Sequence, residues 1–377
     1  MNRHLRRGVR GGFSLALAAS ALWAVTVAAP LDNLEQAARS VGSEAMALAL
    51  LRFERGDGLS ALSLPAALAL NVTPLLLAAP DTEAEPTAEE APAEAPPPDV
   101  PADETPAEPA PLTVRDNGVP ATTLRPSDAA GYLSVGSVLV HNTGAAALSQ
   151  SDLRTDGFAA LPEEAPQVLI LHTHGCEAYT MPPGEEYEAS DDHRTLDERY
   201  NVLRVGDEIA QVLENAGVGV IHDRTLHDYP NYSGSYNRSL ATAERWRSEH
   251  PSLVYVLDVH RDAVADGDGN QYKLLCAEEP SAAQMEFVLG SDGGGLSHDR
   301  WRENLRLACA VQETLLSRYP TLMRPIIVRN SRYNQQISTG ALLLEVGTAG
   351  NSLEEALVAA RLFAQGFADT IKGQPSG

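Results

Sequence analysis

The second half of this 377-residue sequence predicts an α/β domain, a mostly parallel sheet with helices on both faces. Three observations carry that expectation. From Val168 onward, short runs of branched apolar residues alternate with longer stretches whose apolar positions recur at helical spacing. Parallel strands need crossover connections, and helices in that role cover the sheet. Histidines and acids also collect directly after the apolar runs, where open parallel sheets present functional groups.

In chain order, "VLIL" at Val168 to Leu171 reads as a buried strand, and Val202, Val205, Ile209, Val212 and Leu213 form the apolar face of a helix that Gly217 closes. "VGVI" follows as a second strand. Ser235 to His250 forms a helix, and "LVYVLD" at Leu253 to Asp258, bounded by Pro251, a third strand. Trp301, Leu305, Ala308 and Leu315 mark another helix, "ALLLEV" at Ala341 to Val346 a further strand, and Leu353 to Ile371 the last helix. The alternation runs from about 165 to 373 within a single domain assigned to residues 131–377. Residues 112–164, with "SVGSVLVHNTG", add either an edge strand or a small preceding element.

What precedes the domain has a different composition. Arg3, Arg6, Arg7 and Arg10 are followed by a charge-free, mainly apolar stretch from Gly12 to Ala29, so residues 1–30 read as a signal anchor or a signal peptide. Pro30, directly after the small residues Val27, Ala28 and Ala29, disfavours cleavage and so favours the anchor. Residues 31–79 read as a juxtamembrane segment, because Pro65, Asn71 and Pro74 interrupt the apolar run from Leu59 to Ala79. Residues 80–130 are assigned to a disordered acidic linker rich in Pro, Ala and Glu. Within it, Pro80 to Pro111 holds ten prolines and ten acids with no base, too little apolar surface to fold. The expected location is a membrane-anchored protein with an extracytoplasmic domain, secreted if the signal is cleaved.

Net charge is −23, which argues against a nucleic-acid partner, since phosphate contacts need clustered Lys and Arg. Cys176, Cys276 and Cys309 share no close spacing, so neither a disulfide framework nor a cysteine zinc knuckle is indicated.

The chemistry concentrates in three strand-end clusters: "HTHGCE" after "VLIL", "HRD" after "LVYVLDV", and Glu345 in "ALLLE". Two histidines and a carboxylate with an open fourth position make a catalytic zinc site, in which a water becomes acidic enough to attack. Glu345, preceded by four apolar residues, would be partly buried, which raises a carboxyl pKa toward that of a general base. The residues alone reach a zinc hydrolase of unspecified substrate.

The set "VLILHTHGCEAY", "NVLRVGDEIAQVLENAGVGVIHD", "VLDVHRDA", "WRENLRLA" and "RYNQQISTGALLLEVGTAGNSLEEA" resembles the stage II sporulation protein P family of cell-wall hydrolases, in the same order from about Ser137 to the C-terminus. That family is similar in fold to zinc-dependent N-acetylmuramoyl-L-alanine amidases, so the resemblance implies an amidase-like catalytic domain. It implies His174 and His260 as zinc ligands and Glu345 as the catalytic glutamate. Glu177, three residues after His174, is the preferred carboxylate ligand, and Asp197 the alternative by alignment to the amidases. His172 is kept as a contact to a ligand or to substrate. Asp258 or Asp262 would orient the His260 ring, Arg261 would stabilise an oxyanion, and Tyr333 and Asn334 would touch substrate.

The activity implied is hydrolysis of the amide between N-acetylmuramic acid and L-alanine of peptidoglycan, with cross-link endopeptidase activity beside it, in wall remodelling such as sporulation engulfment. Implied partners are peptidoglycan, the membrane through the N-terminal segment, and other cell-wall hydrolases or septal membrane proteins. Two other readings stand beside this one: a catalytically inactive wall-binding scaffold, and a zinc metallopeptidase of the carboxypeptidase type.

Overall fold

The structure, a computed structural model, describes residues 112–267 and 269–373. The chain divides into two units, residues 1–95 and 96–377, and all described residues belong to the second. The expected signal segment, the juxtamembrane segment and the proline-rich run up to 111 lie outside the described residues. No helix among the described residues is long and apolar enough to cross a membrane.

The strands, in chain order, are β1 (Ala121–Thr122), β2 (Leu133–Val135), β3 (Val138–Asn142), β4 (Val168–Leu171), β5 (Ala189–Asp191), β6 (Arg194–Thr195), β7 (Val220–His222), β8 (Tyr255–Asp262), β9 (Lys273–Leu274), β10 (Met285–Gly290), β11 (Ile326–Arg329) and β12 (Gly340–Thr348). The helices are α1 (Val202–Asn215), α2 (Ser235–Glu249), α3 (Trp301–Arg318) and α4 (Leu353–Ile371). Eight strands form one sheet in the order β2-β3-β11-β10-β12-β8-β4-β7.

Five of the seven pairings in this sheet are parallel, and β2–β3 and β10–β12 are antiparallel. Two parallel blocks of opposite direction therefore meet between β10 and β12, so the expectation of a mostly parallel sheet holds within each block and the whole is mixed. The segment "SVGSVLVHNTG" is resolved as an edge hairpin, β2 turning into β3 against β11. Strands β10 and β11, which the alternation did not predict, are the short runs "MEFVLG" and "IIVR".

Alternating side chains on the strands sort the helices to the two faces. Val168, Ile170, Leu257, Val259, Leu342 and Leu344 pack with α1, α3 and α4 in the main core. Leu169, Leu171, Val256 and Ala341 pack on the other face with Ala243, Trp246 lying against them from the same helix, α2. α1 starts where the Asn201 side chain accepts the Leu203 N–H at 3.0 Å. α4 starts on a capping box of Ser352 and Glu355.

The assignment of 112–130 to a disordered linker is corrected by the structure. Asn117 is buried and donates to Gly350 O at 2.9 Å, Lys273 Nζ lies 3.0 Å from Asp116, and β1 pairs with β9. This stretch, "LTVRDNGVPATTLRPSDAA", has lost the proline and acid density of the run before it. Its polar side chains find partners on the domain surface, so it is part of the domain.

α1 approaches the sheet closely because Gly206 has no side chain. A Cβ there would lie 2.5 Å from His222 Nε2 and 2.7 Å from His172 Nε2, and those rings are held by hydrogen bonds on both sides. Gly206→Ala should therefore destabilise the domain by about 1–2 kcal/mol, because overpacking outweighs the smaller gain in helix propensity. Urea unfolding checks this, and a variant as stable as the parent would show that the two histidines yield.

Candidate functional site

Where β4 ends, the chain turns instead of continuing the strand, and a buried carboxylate on the neighbouring strand sets that turn. Asp258 of β8 accepts the Thr173 N–H at 2.8 Å and the Thr173 hydroxyl at 2.6 Å. Further on, Glu177 N donates to His174 O at 3.1 Å, Thr195 N to Cys176 O at 2.8 Å, and Val202 N to Glu177 O at 2.9 Å. One bond closes "HTHGCE" on itself, and Thr173, Cys176 and Glu177 tie it to distant segments. Gly175 packs closely there, since a Cβ would lie 2.9 Å from a Leu226 methyl and 3.0 Å from a Leu203 methyl, which would have to shift.

This turn brings His174 and Glu177 to the end of β8. The His174 and His260 rings lie edge to face with centroids 5.2 Å apart, and Glu177 Oε2 is 3.4 Å from His260 Nδ1. His260 Nε2 is 2.9 Å from Asp258 Oδ1, but off the line of a hydrogen bond, so this contact is one of charge and the nitrogen has no hydrogen-bond partner. Glu345 of β12 is the register partner of His260 on one side, and Glu286 of β10 faces Glu345 on the other. His174, Glu177, His260 and Glu345 are therefore assembled at one place, although the first and last are far apart in sequence.

Burial and charge set their protonation. Burial lowers His174 to about 3 against the pull of Glu177, so the ring is neutral, and its Nδ1 is buried without a partner. Burial alone would also lower His260, but Asp258 and Glu177 on either side outweigh it and hold it well above its ordinary value. Glu177, despite burial, is held well below the usual carboxylate range by its hydrogen bond to His260 and by the charge of Arg261. Glu345 goes the other way. Burial pushes it up to about 8 against the pull of His260, and its Oε2 has no partner. Burial likewise pushes Glu286 up to about 7, opposed by Arg324.

Other predicted residues are placed differently. Asp258 is the acid beside His260, whereas Asp262 pairs with Arg324 at 2.7 Å. Arg261 spends its guanidinium on loop carbonyls, Ala178 O and His193 O, both at 3.0 Å, while its backbone N–H donates to Glu177. That corrects the expectation of an oxyanion contact: its donors position the loop that carries Glu177. His172 turns away under α1, with Nδ1 2.9 Å from Val259 O and Nε2 2.8 Å from His222, which corrects its assignment to ligand or substrate contact. Asp197 is bound by Arg199 at 2.9 and 2.5 Å. Asn334 donates to Tyr236 O at 2.7 Å and to Ser239 at 3.1 Å, so its amide braces α2.

Of an aromatic wall at this site, Tyr333 is expected from the sequence, whereas Tyr232 and Tyr236 are not. Tyr232 stacks on His174 with centroids 4.4 Å apart and places its hydroxyl 3.0 Å from His174 Nε2. Tyr236 meets the same ring edge-on, and Tyr333 lies against Tyr236. The signal was "YPNYSGSYN", tyrosines in a Gly- and Ser-bearing loop that opens a helix. Among the described residues the non-glycine residues with positive φ are His193, Tyr333 and Asn334. Left-handed backbone of this kind persists where its surroundings enforce it, and here all three border this site.

Among the described residues no three His, Cys, Asp or Glu side chains converge as a finished metal-binding group. The donor set nevertheless suits zinc: a neutral imidazole with a buried unpartnered nitrogen, a second imidazole and a carboxylate.

Stage II sporulation protein P of Bacillus subtilis (strain 168) is 29% identical over 214 residues, which are 54% of this chain and 50% of that protein. The chain thus spans about half the length of the curated relative it matches. Among solved structures, the N-acetylmuramoyl-L-alanine amidase AmiC2 of Nostoc punctiforme superposes with a TM-score of 0.33 at 16% identity, over 55% of this chain and 97% of that one. An N-acetylmuramoyl-L-alanine amidase from Clostridium difficile 630 does so with a TM-score of 0.32 at 19% identity, over 55% and 96%. The model of the stage II sporulation protein P family matches residues 111–368, well over half of the sequence, and the chain belongs to that family.

Proposed function

We propose that the domain is a zinc-dependent peptidoglycan hydrolase that cleaves the amide between N-acetylmuramic acid and L-alanine, on a protein anchored to the membrane by its N-terminal segment. The observation that carries this reading is the juxtaposition of Glu345 with His260 in register, with Glu177 and His174 closing the same corner. Membership of a sporulation family supports the wall as substrate and engulfment as the setting.

His174, Glu177 and His260 would hold the ion. Zinc in such a site supplies a Lewis acid for the scissile carbonyl and makes a water acidic near neutral pH. Glu345 takes the proton of the attacking water and returns it to the leaving amide nitrogen, a task for which a buried carboxyl with a raised pKa is suited. Asp258 holds the His260 ring, Arg261 holds the loop under Glu177, and Tyr232, Tyr236 and Tyr333 offer flat surfaces to a sugar or peptide. A scaffold that only binds wall has no use for a base at this corner, which favours the enzyme over that reading.

Three measurements test this function. The full-length protein should contain about one zinc per chain and release stem peptide from purified wall, with His260→Ala losing both; full zinc occupancy in that variant would remove His260 from the ligand set. Glu177→Ala should lower zinc affinity at least about tenfold while Asp197→Ala leaves it unchanged, because losing one of three protein ligands opens the coordination shell. The reverse ranking would make Asp197 the ligand. Glu345→Gln should keep zinc and slow wall digestion by about two to four orders of magnitude, the range for a positioned base. Zinc lost along with activity would make Glu345 a ligand, and unchanged turnover would leave it a structural residue.

A further inference from the structure

At the opposite end of β8 and β12 the molecule has a second recess. Val254 and Thr339, which line it, each precede His260 and Glu345 by six residues on parallel strands, about 20 Å at ~3.3 Å per residue. Its cavity of about 510 Å3 adjoins another of about 510 Å3, and the two share Arg247, Gln336 and Ile337 as a common wall. The recess is thus an elongated groove, shaped for a chain more than for a compact small molecule.

Its polar groups are incomplete. His298 and Asn304 are 3% and 0% exposed, and His298 Nε2, Asn304 Oδ1 and Gln336 Oε1 are buried without hydrogen-bond partners. Buried polar atoms in native proteins are nearly always paired, so three orphans lining one groove call for a ligand with N–H or O–H groups. Arg247 and Arg332 donate to carbonyls, of Leu253 and Ile337 and of Ser297, and among the described residues neither forms an ion pair with a carboxylate. The 18-residue helix α3 begins here at Arg300 with no side-chain cap, adding the positive end of its dipole.

We propose that this groove binds a glycan strand that carries carboxylates. The arginines and the helix end suit the carboxylates, and the orphaned oxygens suit hydroxyl or amide hydrogens of the sugars. Apolar lining is too sparse for a peptide read through its side chains, being Val254 and Ile337 in the first cavity and Leu240 and Pro251 in the second. Set against Asp299 and Glu244, one in each cavity, the arginines leave too little positive charge for the closely spaced phosphates of a nucleic acid, whereas widely spaced carboxylates can each meet one arginine away from those acids. That the strand belongs to the cell wall rests on the function proposed above. The groove would then hold the polymer while the other rim works on it, raising the effective substrate concentration.

The test uses the full-length protein carrying Glu345→Gln, so that neither the stem peptide used as competitor nor intact wall is altered during the binding measurement. Labelled glycan strands stripped of their stem peptides should bind, and both Arg332→Gln and reduction of the strand carboxylates to alcohols should weaken binding about tenfold or more, the weight of one charge-assisted contact. Zinc content and far-UV circular dichroism should stay unchanged in Arg332→Gln. If that variant does not fold, Thr339→Trp, which narrows the mouth of the groove, should weaken binding in its place. Binding that ignores these changes, or that favours free stem peptide or single-stranded DNA, would overturn the proposal. Wall digestion by the parent protein is read separately: glycan binding without digestion would sink the amidase and keep the groove, and digestion with unaltered glycan binding in Arg332→Gln would do the opposite.

Discussion

The carboxylate of Asp258 is the constraint on which the candidate site depends. A buried charge costs several kcal/mol unless hydrogen bonds replace its water. Here Thr173 supplies both its N–H and its hydroxyl, and the hydroxyl lies 2.7 Å from Ser239 of α2. One side chain thereby joins β8, the exit of β4 and the helix on the far face of the sheet. Because Thr173 is held, its two neighbours part company: His172 goes under α1, and His174 goes out against Tyr232 and His260. The same carboxylate then faces the His260 ring, so fold and site share it.

Around this anchor the ionisable groups are arranged in opposition. Glu177 and Glu345 both lie beside His260, yet one is held ionised by His260 and Arg261 while burial drives the other toward its neutral form. Two carboxylates with pKa values pushed apart in one corner are the arrangement on which the proposed division between metal ligand and base rests. Glu286 and Asp262 would add repulsion, but Arg324 lies 3.5 Å from one and 2.7 Å from the other and offsets it. The Glu286 and Asp262 side of the acidic corner is thus balanced mainly by Arg324, drawn from the segment just before β11, as Arg261 acts on Glu177.

Much of the domain was legible because its signals are local. The helix from Leu353 to Ile371 and the strand around "ALLLEV" show their period within their own residues, and the strand-end positions of His174, His260 and Glu345 follow from that reading. β10 and β11 were not legible, since runs as short as "IIVR" lack a distinguishing period. Residues 112–130 were read with the linker because their order comes from partners such as Gly350 and Lys273, not from their own composition.

By itself the sequence determined most of the segments that become strands and helices, that histidines and acids gather toward the carboxyl ends of strands, with His260 and Glu345 two and three residues before those ends, and, through its resemblance, the family. Tertiary structure alone decided that β10 reverses the sheet, that Asp258 and not Asp262 faces His260, that Arg261 braces a loop, and that two tyrosines enclose His174. The reason is physical. Periodicity is set by bonds along the chain, whereas register, side-chain direction and the pKa of a buried group are set by neighbours that only folding brings together.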